Sequence, residues 1–442
     1  MTDAKKMADL LANYYSTVFK EEVLPMEEVR QLYQGDSPLL DTHFSEAFVR
    51  LQLSRLRETL ATGPDGIYPR LLKRICIHIS EALAEVFNSL LQHSKVPPVW
   101  LDSCITPIYK PGKVKTDPTS YRPVGVASTL CRVFEKRINT AIDHHLENNT
   151  LIYDSQHGFR RGRSCETNLL VLMEYHARRA EDNENEDDCY FDLKAFFDGI
   201  PHQRCLASLH AHGVSESGKI HRWVTAWLGA GGEMVKTGDE SHGALGQEKE
   251  SGERSQEKKQ ETSAQDKEQE KEQGAEIQEQ GAPLRARRRR QQVVLNGKAS
   301  QWHEVTASIV QGSCLGPTLA KCFSNTSHDG RSLEEADKPL LSKFADDEKR
   351  CRVVMNKEQG DRMQADINHM VSWVQKMNVE LNKGKVHLLH IGRTNPRRKY
   401  TLGEGGPEIE AVEQEKDLGV LISSDLRPDK MVKKQAQKAH YL

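Results

Sequence analysis

Two adjacent aspartates, Asp346 and Asp347, follow the short apolar stretch that ends at Phe344 and Ala345. Neighbouring carboxylates repel each other and gain nothing from burial, so a pair at the end of a strand suits a divalent cation better than it suits a core. If one strand ends at Ala345 and the next begins at Glu348, both aspartates lie at the tip of a hairpin. A polar turn without any ligand is the alternative that this pair alone leaves open.

A third acidic residue favours metal chemistry, because two-metal phosphoryl transfer uses carboxylates from separate segments to hold two ions about 3.5–4 Å apart. Asp192 lies within Tyr190-Phe-Asp-Leu-Lys-Ala-Phe-Phe-Asp198 and can supply that carboxylate. The sequence therefore predicts that the strand before Asp192 and the hairpin around Asp346 lie side by side.

The elements that must position these residues are predicted from the spacing of apolar residues. Strands are expected at 105–109, before Asp192, on both sides of the Asp346–Asp347 pair, at the end of 379–391 and at 417–426. Asn296-Gly297 predicts a two-residue hairpin turn whose return strand covers 302–309. Apolar residues recur every three or four positions in the predicted helices. These helices cover 8–19, 45–60, 71–91, 133–146, 165–178 and 366–377.

Composition sets outer limits on the class of protein. A length of 442 residues suggests two or three domains, and no apolar run reaches the ~18–20 residues that span a bilayer. The nine cysteines are scattered and include no Cys-x-x-Cys pair, so their spacing indicates neither a disulfide framework nor a zinc site. We expect a nuclear or cytoplasmic protein that is not secreted and does not enter a membrane.

Charge is distributed unevenly along the chain. Residues 233–283 carry 14 acidic and 7 basic residues, whereas the whole chain has a net charge of −2, so the remainder carries +5. The Gln-, Glu- and Lys-rich text of 231–287 predicts a disordered insertion, because it has too few apolar residues to offset the entropy of ordering. The basic remainder suits a nucleic-acid backbone, although solvated surface charge is the alternative for any single cluster.

The glycine-punctuated stretch 155–164 carries three arginines, Arg160, Arg161 and Arg163. Backbone amides at the glycines and three guanidinium groups make a candidate surface for the phosphates of a template or primer. A solvated turn is an equally good interpretation of this stretch alone.

Ten short stretches, in this order along the chain, resemble those of the reverse transcriptases of non-LTR (LINE-type) retrotransposons. Each is unspecific by itself, but ten in the right order are specific, and together they cover nearly the whole chain outside 231–287. They are Gly63-Pro-Asp-Gly66, Thr106-Pro-Ile-Tyr-Lys110, Tyr121-Arg-Pro123, Gln156-His-Gly-Phe-Arg160, 192–202, Gln311-Gly-Ser-Cys-Leu-Gly-Pro317, Phe344-Ala-Asp-Asp347, Trp373, Asn382-Lys-Gly-Lys385 and Lys416-Asp-Leu-Gly-Val420.

The resemblance implies an α+β fold of the right-hand polymerase type, with fingers, an antiparallel-sheet palm, a truncated thumb and the disordered insertion within the palm. The implied domains are a helical N-terminal extension at 1–100, a fingers-like region at 101–190, a first part of the palm at 191–230, the insertion at 231–287, a second part of the palm at 288–424 and the start of the thumb at 425–442.

The resemblance also implies roles for individual residues. Asp192 and Asp346, assisted by Asp347, match the carboxylates that hold two Mg²⁺ ions, which suits a cation that prefers carboxylate, phosphate and water oxygens. Lys385 matches a lysine proposed to protonate the leaving group. Phe197 matches the aromatic residue that excludes a 2′-hydroxyl, although a core role is its alternative.

Four further residues match positions around the incoming nucleotide. Gln311 and Gly312 match the pair that lines the nucleotide and template site. Lys110 and Arg122 match basic fingers positions near the triphosphate. Solvated surface charge is the alternative for Lys110, and equally for Lys385.

The implied activity is that of an RNA-directed DNA polymerase, which extends a primer 3′-hydroxyl with dNTPs on an RNA template. Three features favour the alternative, a catalytically inactive remnant that at most binds nucleic acid: the insertion, the bulky Phe196 before Phe197, and the short thumb. An RNA polymerase that copies RNA fits Phe197 poorly. No endonuclease-like stretch is found in the sequence, so we expect any endonuclease to be supplied separately.

Overall fold

A computed structural model of the chain describes residues 3–20, 22, 29, 31–230, 288–328 and 339–429. The predicted disordered insertion at 231–287 and most of the predicted thumb segment lie outside these residues. Helices α1 to α11 are, in chain order, Ala4–Ser16, Glu46–Ser54, Pro69–Arg74, Cys76–Gln92, Thr129–Asn148, Cys165–Glu181, Phe196–Gly199, His202–Ala211, Lys219–Leu228, Gly316–Asn325 and Lys357–Lys376. Strands β1 to β12 are Asp102–Tyr109, Tyr121–Val126, Glu186–Phe191, Arg290–Leu295, Lys298–Ala299, His303–Glu304, Leu340–Phe344, Asp347–Val353, His387–Ile391, Glu410–Val412, Gln414–Asp417 and Val420–Ser423.

These elements form an α+β fold around a five-stranded sheet with the order β10-β9-β3-β8-β7. Strand β3 lies in the middle and pairs antiparallel with β8 on one side and with β9 on the other. Strands β7 and β8 form an antiparallel hairpin, whereas the edge strand β10 runs parallel to β9. The sheet is therefore antiparallel except at one edge, where a purely antiparallel sheet was predicted.

A second sheet joins the segments before and after residues 231–287. Strand β1 pairs antiparallel with β2 and parallel with β4. The short strands β5 and β6 pair antiparallel with β4. Helix α1 packs on this sheet through Ala8, Leu11 and Tyr15, which meet Ile105 and Val293 in one apolar cluster. The predicted helical N-terminal extension thus contributes its first helix to a sheet.

The two described ends that flank 231–287 meet in space. A Cβ placed on Gly229 would lie 3.1 Å from the backbone nitrogen of Arg289. Gly229 ends helix α9 with a φ of +76°, a left-handed conformation that favours glycine. The fully buried Arg289 side chain lies over the ring of Trp227, with its guanidinium carbon 4.3 Å from the ring centroid.

The main core packs the helices against the faces of the sheets. Phe134 is central to it: its ring stacks on Trp223 with centroids 4.4 Å apart and also meets Phe44, Phe87 and Trp100. Residues from the α2–α5 region and from the segment after residue 300 belong to this same cluster. No helix in the described part of the chain is long and apolar enough to cross a membrane.

The predicted helices are present, but some ends differ clearly: the helix predicted at 45–60 ends at Ser54, and the one predicted at 366–377 begins at Lys357. The predicted helix at 71–91 is divided into α3 and α4. The predicted return strand at 302–309 is wrong beyond Glu304. Ser308 adopts a φ of +101°, and the N–H groups of Ser308 and Ile309 donate to the carbonyls of Ile200 and Phe197 instead of a neighbouring strand. The chain leaves the sheet here to reach α7.

Candidate active site

The acidic hairpin is formed as a two-residue turn. Strand β7 ends at Phe344, which pairs with Asp347, the first residue of β8, so Ala345 and Asp346 form the turn. Ala345 takes a positive φ of +59°, as tight hairpin turns require. The prediction of a hairpin is confirmed, with one adjustment: Asp346 lies in the turn and Asp347 begins the strand.

The stretch 155–158 supports this turn from behind. Oε1 of the fully buried Gln156 accepts hydrogen bonds from the backbone N–H groups of Gly158 (2.8 Å) and Ala345 (3.2 Å). A Cβ on Gly158 would lie 2.2 Å from the nitrogen of Ala345, so only glycine fits there. His157 and Ser155 add backbone hydrogen bonds to Lys343 in β7. This part of the predicted phosphate-binding loop is therefore a structural support for the hairpin.

Asp192 follows the end of β3, beside the start of β8. Residues 380–385 run next to it: the N–H of Lys194 donates to the carbonyl of Glu380, and the N–H of Asn382 donates to the carbonyl of Asp192. Both carboxylate oxygens are also bonded, because Nδ2 of Asn382 lies 2.9 Å from Oδ2 and Nζ of Lys385 lies 3.0 Å from Oδ1. The structure thus places Lys385 against Asp192.

The three aspartates lie close enough to influence one another electrostatically. Burial raises the pKa of Asp346 to about 7, with further increases from Asp347 and Asp192. Burial also raises the pKa of Asp347 to about 6, and the negative charge of Asp192 contributes to this increase. Partly buried carboxylates with raised pKa values are poorly neutralised by the protein, and a divalent cation would correct this. The donor set therefore fits Mg²⁺.

The three carboxylates do not converge as tightly as a closed ligand set. Within the described residues, Asp192, Asp346 and Asp347 do not form a group whose potential ligand atoms all lie within 4.8 Å of one another. The contacts from Asn382 and Lys385 explain this, because they hold both oxygens of Asp192 toward the 382–385 turn.

Lys110 directly follows strand β1, and Arg122 lies on β2 as the register partner of Ile108, so the two cations are near neighbours on the β1–β2 pair. Burial lowers the pKa of Lys110, and the positive charges of Arg122 and Lys385 lower it further, whereas Asp198 opposes them. Nζ of Lys110 donates to the carbonyl of Thr119 at 2.8 Å. The three cations Lys110, Arg122 and Lys385 therefore belong to one electrostatic neighbourhood.

Gln311 and Gly312 lie against β2. The N–H of Gly125 donates to the carbonyl of Gln311 at 2.7 Å, and a Cβ on Gly312, whose φ is +113°, would lie 2.5 Å from the carbonyl oxygen of Gly125. The loop after them is fixed by the buried Glu135, whose Oε2 accepts from the N–H groups of Cys314 (2.7 Å) and Leu315 (3.3 Å). Glycine is required by this close approach and by the positive φ.

Phe197 lies on the short helix α7, partly buried. Its ring meets Phe159 edge-on, with centroids 5.9 Å apart, and the neighbouring Phe196. Phe196 is buried and packs edge-on against Phe323, at 5.9 Å between ring centroids. Phe196 thus fills the core beneath α7 in ordinary aromatic geometry, while Phe197 remains partly accessible.

The three arginines of the glycine-punctuated stretch differ in their surroundings. Arg160 is largely buried, with side-chain exposure of 9%, and contacts Glu147 and Asp154. Arg163 also contacts Asp154, at 3.0 Å, and Arg161 is exposed. Arg161 is therefore the most accessible to a phosphate, and Arg160 is engaged within the protein.

Three residues that shape the site were absent from the sequence-based prediction. Gln156 and Asn382 lie inside stretches that the prediction quoted, but nothing in their spacing indicated that they would bond to Ala345 and Asp192. Glu135 lies on the predicted helix 133–146 with no signal at all. Its partners are backbone N–H groups some 180 positions away in sequence, which local patterns do not reveal.

Comparison with known proteins adds independent findings. Residues 108–262 match the family described as reverse transcriptase (RNA-dependent DNA polymerase). The chain is 24% identical over 216 residues to the probable RNA-directed DNA polymerase from transposon BS of Drosophila melanogaster, covering 46% of the chain and 23% of that relative. It is 22% identical over 398 residues to the RNA-directed DNA polymerase from mobile element jockey of Drosophila funebris, which covers 86% of the chain and 36% of that relative.

The matches cover only part of the relatives and only part of the candidate site. The chain spans about a seventh to a third of the length of the curated relatives it matches. The family match includes Asp192 but ends before Asp346 and Asp347. The position of the second acidic segment beside the first therefore rests on the pairing of β3 with β8.

Proposed function

We propose, from the premise that this chain carries a reverse transcriptase domain of the non-LTR retrotransposon type, that it is an RNA-directed DNA polymerase. It extends the 3′-hydroxyl of a DNA primer with dNTPs on an RNA template by two-metal nucleotidyl transfer. The observation that carries this proposal is the pairing of β3 with β8, which brings Asp192, the residue after the Phe191–Glu348 pair, beside the turn that bears Asp346 and Asp347. We also propose that it acts in the nucleus or cytoplasm.

Asp192, Asp346 and Asp347 would hold two Mg²⁺ ions, whose charge stabilises the attacking 3′-oxygen and the leaving pyrophosphate. Lys110 and Arg122 bind the triphosphate of the incoming nucleotide, and Gln311 with Gly312 contacts its base pair. Phe197 excludes a 2′-hydroxyl, and Lys385 protonates the leaving group. Arg160, Arg161 and Arg163 contact the template or primer, with Arg161 the best exposed of the three.

In a right-hand polymerase description, the sheet β10-β9-β3-β8-β7 corresponds to the palm. The β1–β2 pair and the arginine-bearing stretch correspond to the fingers, and the thumb begins near residue 425. The support for this assignment is that Lys110 and Arg122 on the β1–β2 pair lie in the electrostatic neighbourhood of Lys385. Residues 231–287 then form an insertion in the palm, since Gly229 and Arg289 are in contact.

The second candidate is a catalytically inactive remnant that at most binds nucleic acid. It is favoured by the acidic and Gln-rich stretch within 231–287. The test is primer extension on a poly(rA)/oligo(dT) duplex with Mg²⁺ and dTTP, with the full chain, the Asp346→Ala variant and a variant without residues 233–287.

Extension that is lost in Asp346→Ala establishes the polymerase. If the full chain and the deletion both fold and bind the duplex but do not extend it, the remnant is correct. Extension by the deletion alone assigns the loss to the insertion. Binding that disappears steeply with added salt and ignores the primer end also indicates the remnant, because phosphate contacts alone give that behaviour.

A further inference from the structure

A second cluster of ionisable side chains lies where helix α6 crosses strand β3, away from the three aspartates. Nδ1 of His176 on α6 lies 2.7 Å from Oε2 of Glu186, and its Nε2 lies 3.3 Å from Oδ2 of Asp188. Since side chains alternate along a strand, Glu186 and Asp188 share the face toward α6. Between them, Asp187 faces the other way and bonds to His390 (2.6 Å) and Tyr400 (2.5 Å).

The cluster is buried, and part of its polar capacity is unused. His176, Glu186 and Asp188 are each at most 1% exposed. In the described part of the chain, no hydrogen bond of normal geometry reaches Nε2 of His176, Oε1 of Glu186 or either oxygen of Asp188. Asp187, one residue away, has partners for both of its oxygens. Glu186 contacts His176 through Oε2, and Asp188 lies beside the other ring nitrogen, but the remaining carboxylate oxygens lack a normal hydrogen bond. Buried oxygens of this kind are disfavoured, and a positive ligand would satisfy them.

The surroundings limit what that ligand can be. Tyr190, Leu172 and Leu389 form an apolar cluster around the site, and Cys351 faces Asp188 across the β3–β8 pair. Such apolar surroundings favour a single dehydrated ion over a bulky or hydrated group. One ligand atom from each of His176, Glu186 and Asp188 lies within 4.8 Å of the other two, close enough for one ion to be shared.

We propose that His176, Glu186 and Asp188 form a site for one divalent transition-metal ion of the zinc class. One imidazole nitrogen and two carboxylates are ordinary zinc ligands, whereas Mg²⁺ and Ca²⁺ take oxygen ligands and rarely an imidazole. An ion there supplies a positive partner to one ligand atom of each of the three side chains. The spacing of the cysteines indicated no zinc site, and it could not reveal this one, because its three proposed ligands are a histidine and two acids.

The position of the ion gives it a structural role. Asp188 precedes Asp192 by four residues, which corresponds to roughly 13 Å along a strand. The ion is therefore separate from the candidate Mg²⁺ site. It joins α6 to β3, the strand that leads to Asp192, so its binding energy adds to the stability of the folded chain.

The competing interpretation is an imidazolium held between two carboxylates without any metal. The test uses the full chain, stripped with a chelator and then supplied with Zn²⁺ alone, followed by gel filtration, elemental analysis and thermal unfolding. We expect one zinc per chain and a rise of several degrees in Tm, with no equivalent rise from millimolar Mg²⁺. Asp188→Asn is expected to weaken zinc binding by at least tenfold, as is Glu186→Gln.

The matched control is His387→Gln. His387 lies on the same sheet and also contacts a carboxylate, because its Nδ1 is 2.5 Å from Oε2 of Glu415. It is expected to keep the zinc.

X-ray absorption of the zinc-loaded wild-type chain tests the site without any variant, and we expect nitrogen and oxygen neighbours at about 2.0–2.2 Å. A first shell of sulfur at about 2.3 Å places the ion on cysteines and overturns the proposal. Absence of zinc from the wild type, or full retention in Asp188→Asn, overturns it as well and leaves the imidazolium interpretation. None of these readouts measures polymerase activity, so failure of the proposed function does not affect them.

Discussion

Nζ of Lys385 lies 3.0 Å from Oδ1 of Asp192. The lysine side chain is 61% exposed, and the turn that bears it is anchored by the backbone bond from Asn382 to Asp192. Lys385 therefore lies at the edge of the acidic site as an exposed cation that contacts one carboxylate. Such a position suits the lysine that we propose as the proton donor to the leaving group.

Replacement of this cation tests that position. We expect Lys385→Met to slow single-nucleotide extension by about 10²-fold, the usual contribution of a positioned proton donor, with little change in duplex affinity. Lys385→Arg keeps the charge and should also leave duplex affinity unchanged, but it should not restore the full rate. Single-turnover extension and equilibrium duplex binding measure the two effects. A loss of affinity with an unchanged rate would assign Lys385 to the nucleic-acid surface instead.

Neutralising Asp346 separates function from stability. Burial and the neighbouring carboxylates raise the pKa of Asp346, so its charge opposes folding. We expect Asp346→Asn to reduce extension by at least about 10³-fold. Without divalent ions it should also stabilise the chain by about 1–3 kcal/mol at pH 8. Chemical denaturation with and without Mg²⁺ measures this, and the stabilising effect of Mg²⁺ on the wild type should shrink in the variant. A destabilised variant would contradict this account.

The support beneath the acidic turn can be tested at Gln156. Gln156→Leu leaves the N–H groups of Ala345 and Gly158 without their acceptor, and an unsatisfied buried donor costs about 1–3 kcal/mol. We expect this loss in unfolding free energy and a fall in extension rate, since the turn that carries Asp346 loosens. The exposed Gln301→Leu serves as the matched control and should change neither quantity. Equal stability of both variants would show that the bonds do not hold the turn.

Asp198 gives a pH prediction. Burial raises its pKa to about 7, against the lowering effect of Lys110. Because the folded chain binds this proton more tightly than the unfolded chain, the stabilisation is complete below about pH 4 and is lost as the pH rises through about 7. Asp198→Asn should remove this part of the pH dependence and stabilise the chain at pH 8. Unfolding curves from pH 4 to 8 measure it, with the exposed Asp36→Asn as the control.

The sequence predicted the local elements better than their partners. Apolar periodicity placed helices such as Cys165–Glu181, and Asn296-Gly297 forms the predicted two-residue turn, although its return strand is the short β5. The return strand failed beyond Glu304, because backbone bonds to Phe197 and Ile200 outweighed the strand pattern. Such bonds join segments about a hundred residues apart and leave no local signal.

The same distinction applies to the candidate site. The proximity of Asp192 to the acidic hairpin could be predicted, because adjacent carboxylates at the end of a strand suggested a shared cation and a third acid nearby. The buried supports could not, since Gln156, Glu135 and His176 look like ordinary helix or loop residues until their partners are known. Arg160 shows the same limit of local patterns, because nothing in its type and spacing indicated that Glu147 and Asp154 would contact it.

The acidic alternation of β3 also bears on how this strand finds its place during folding. Glu186 and Asp188 meet His176 on one face, while Asp187 meets His390 and Tyr400 on the other. If the strand shifted by one residue, both Glu186 and Asp188 would face His390 and Tyr400, which now contact a single acid. His176 would then face only one carboxylate. The same shift would displace Asp192 by about 3.3 Å and reverse its side chain. The buried charges therefore select a single register, and with it the alignment of Asp192 with the acidic hairpin.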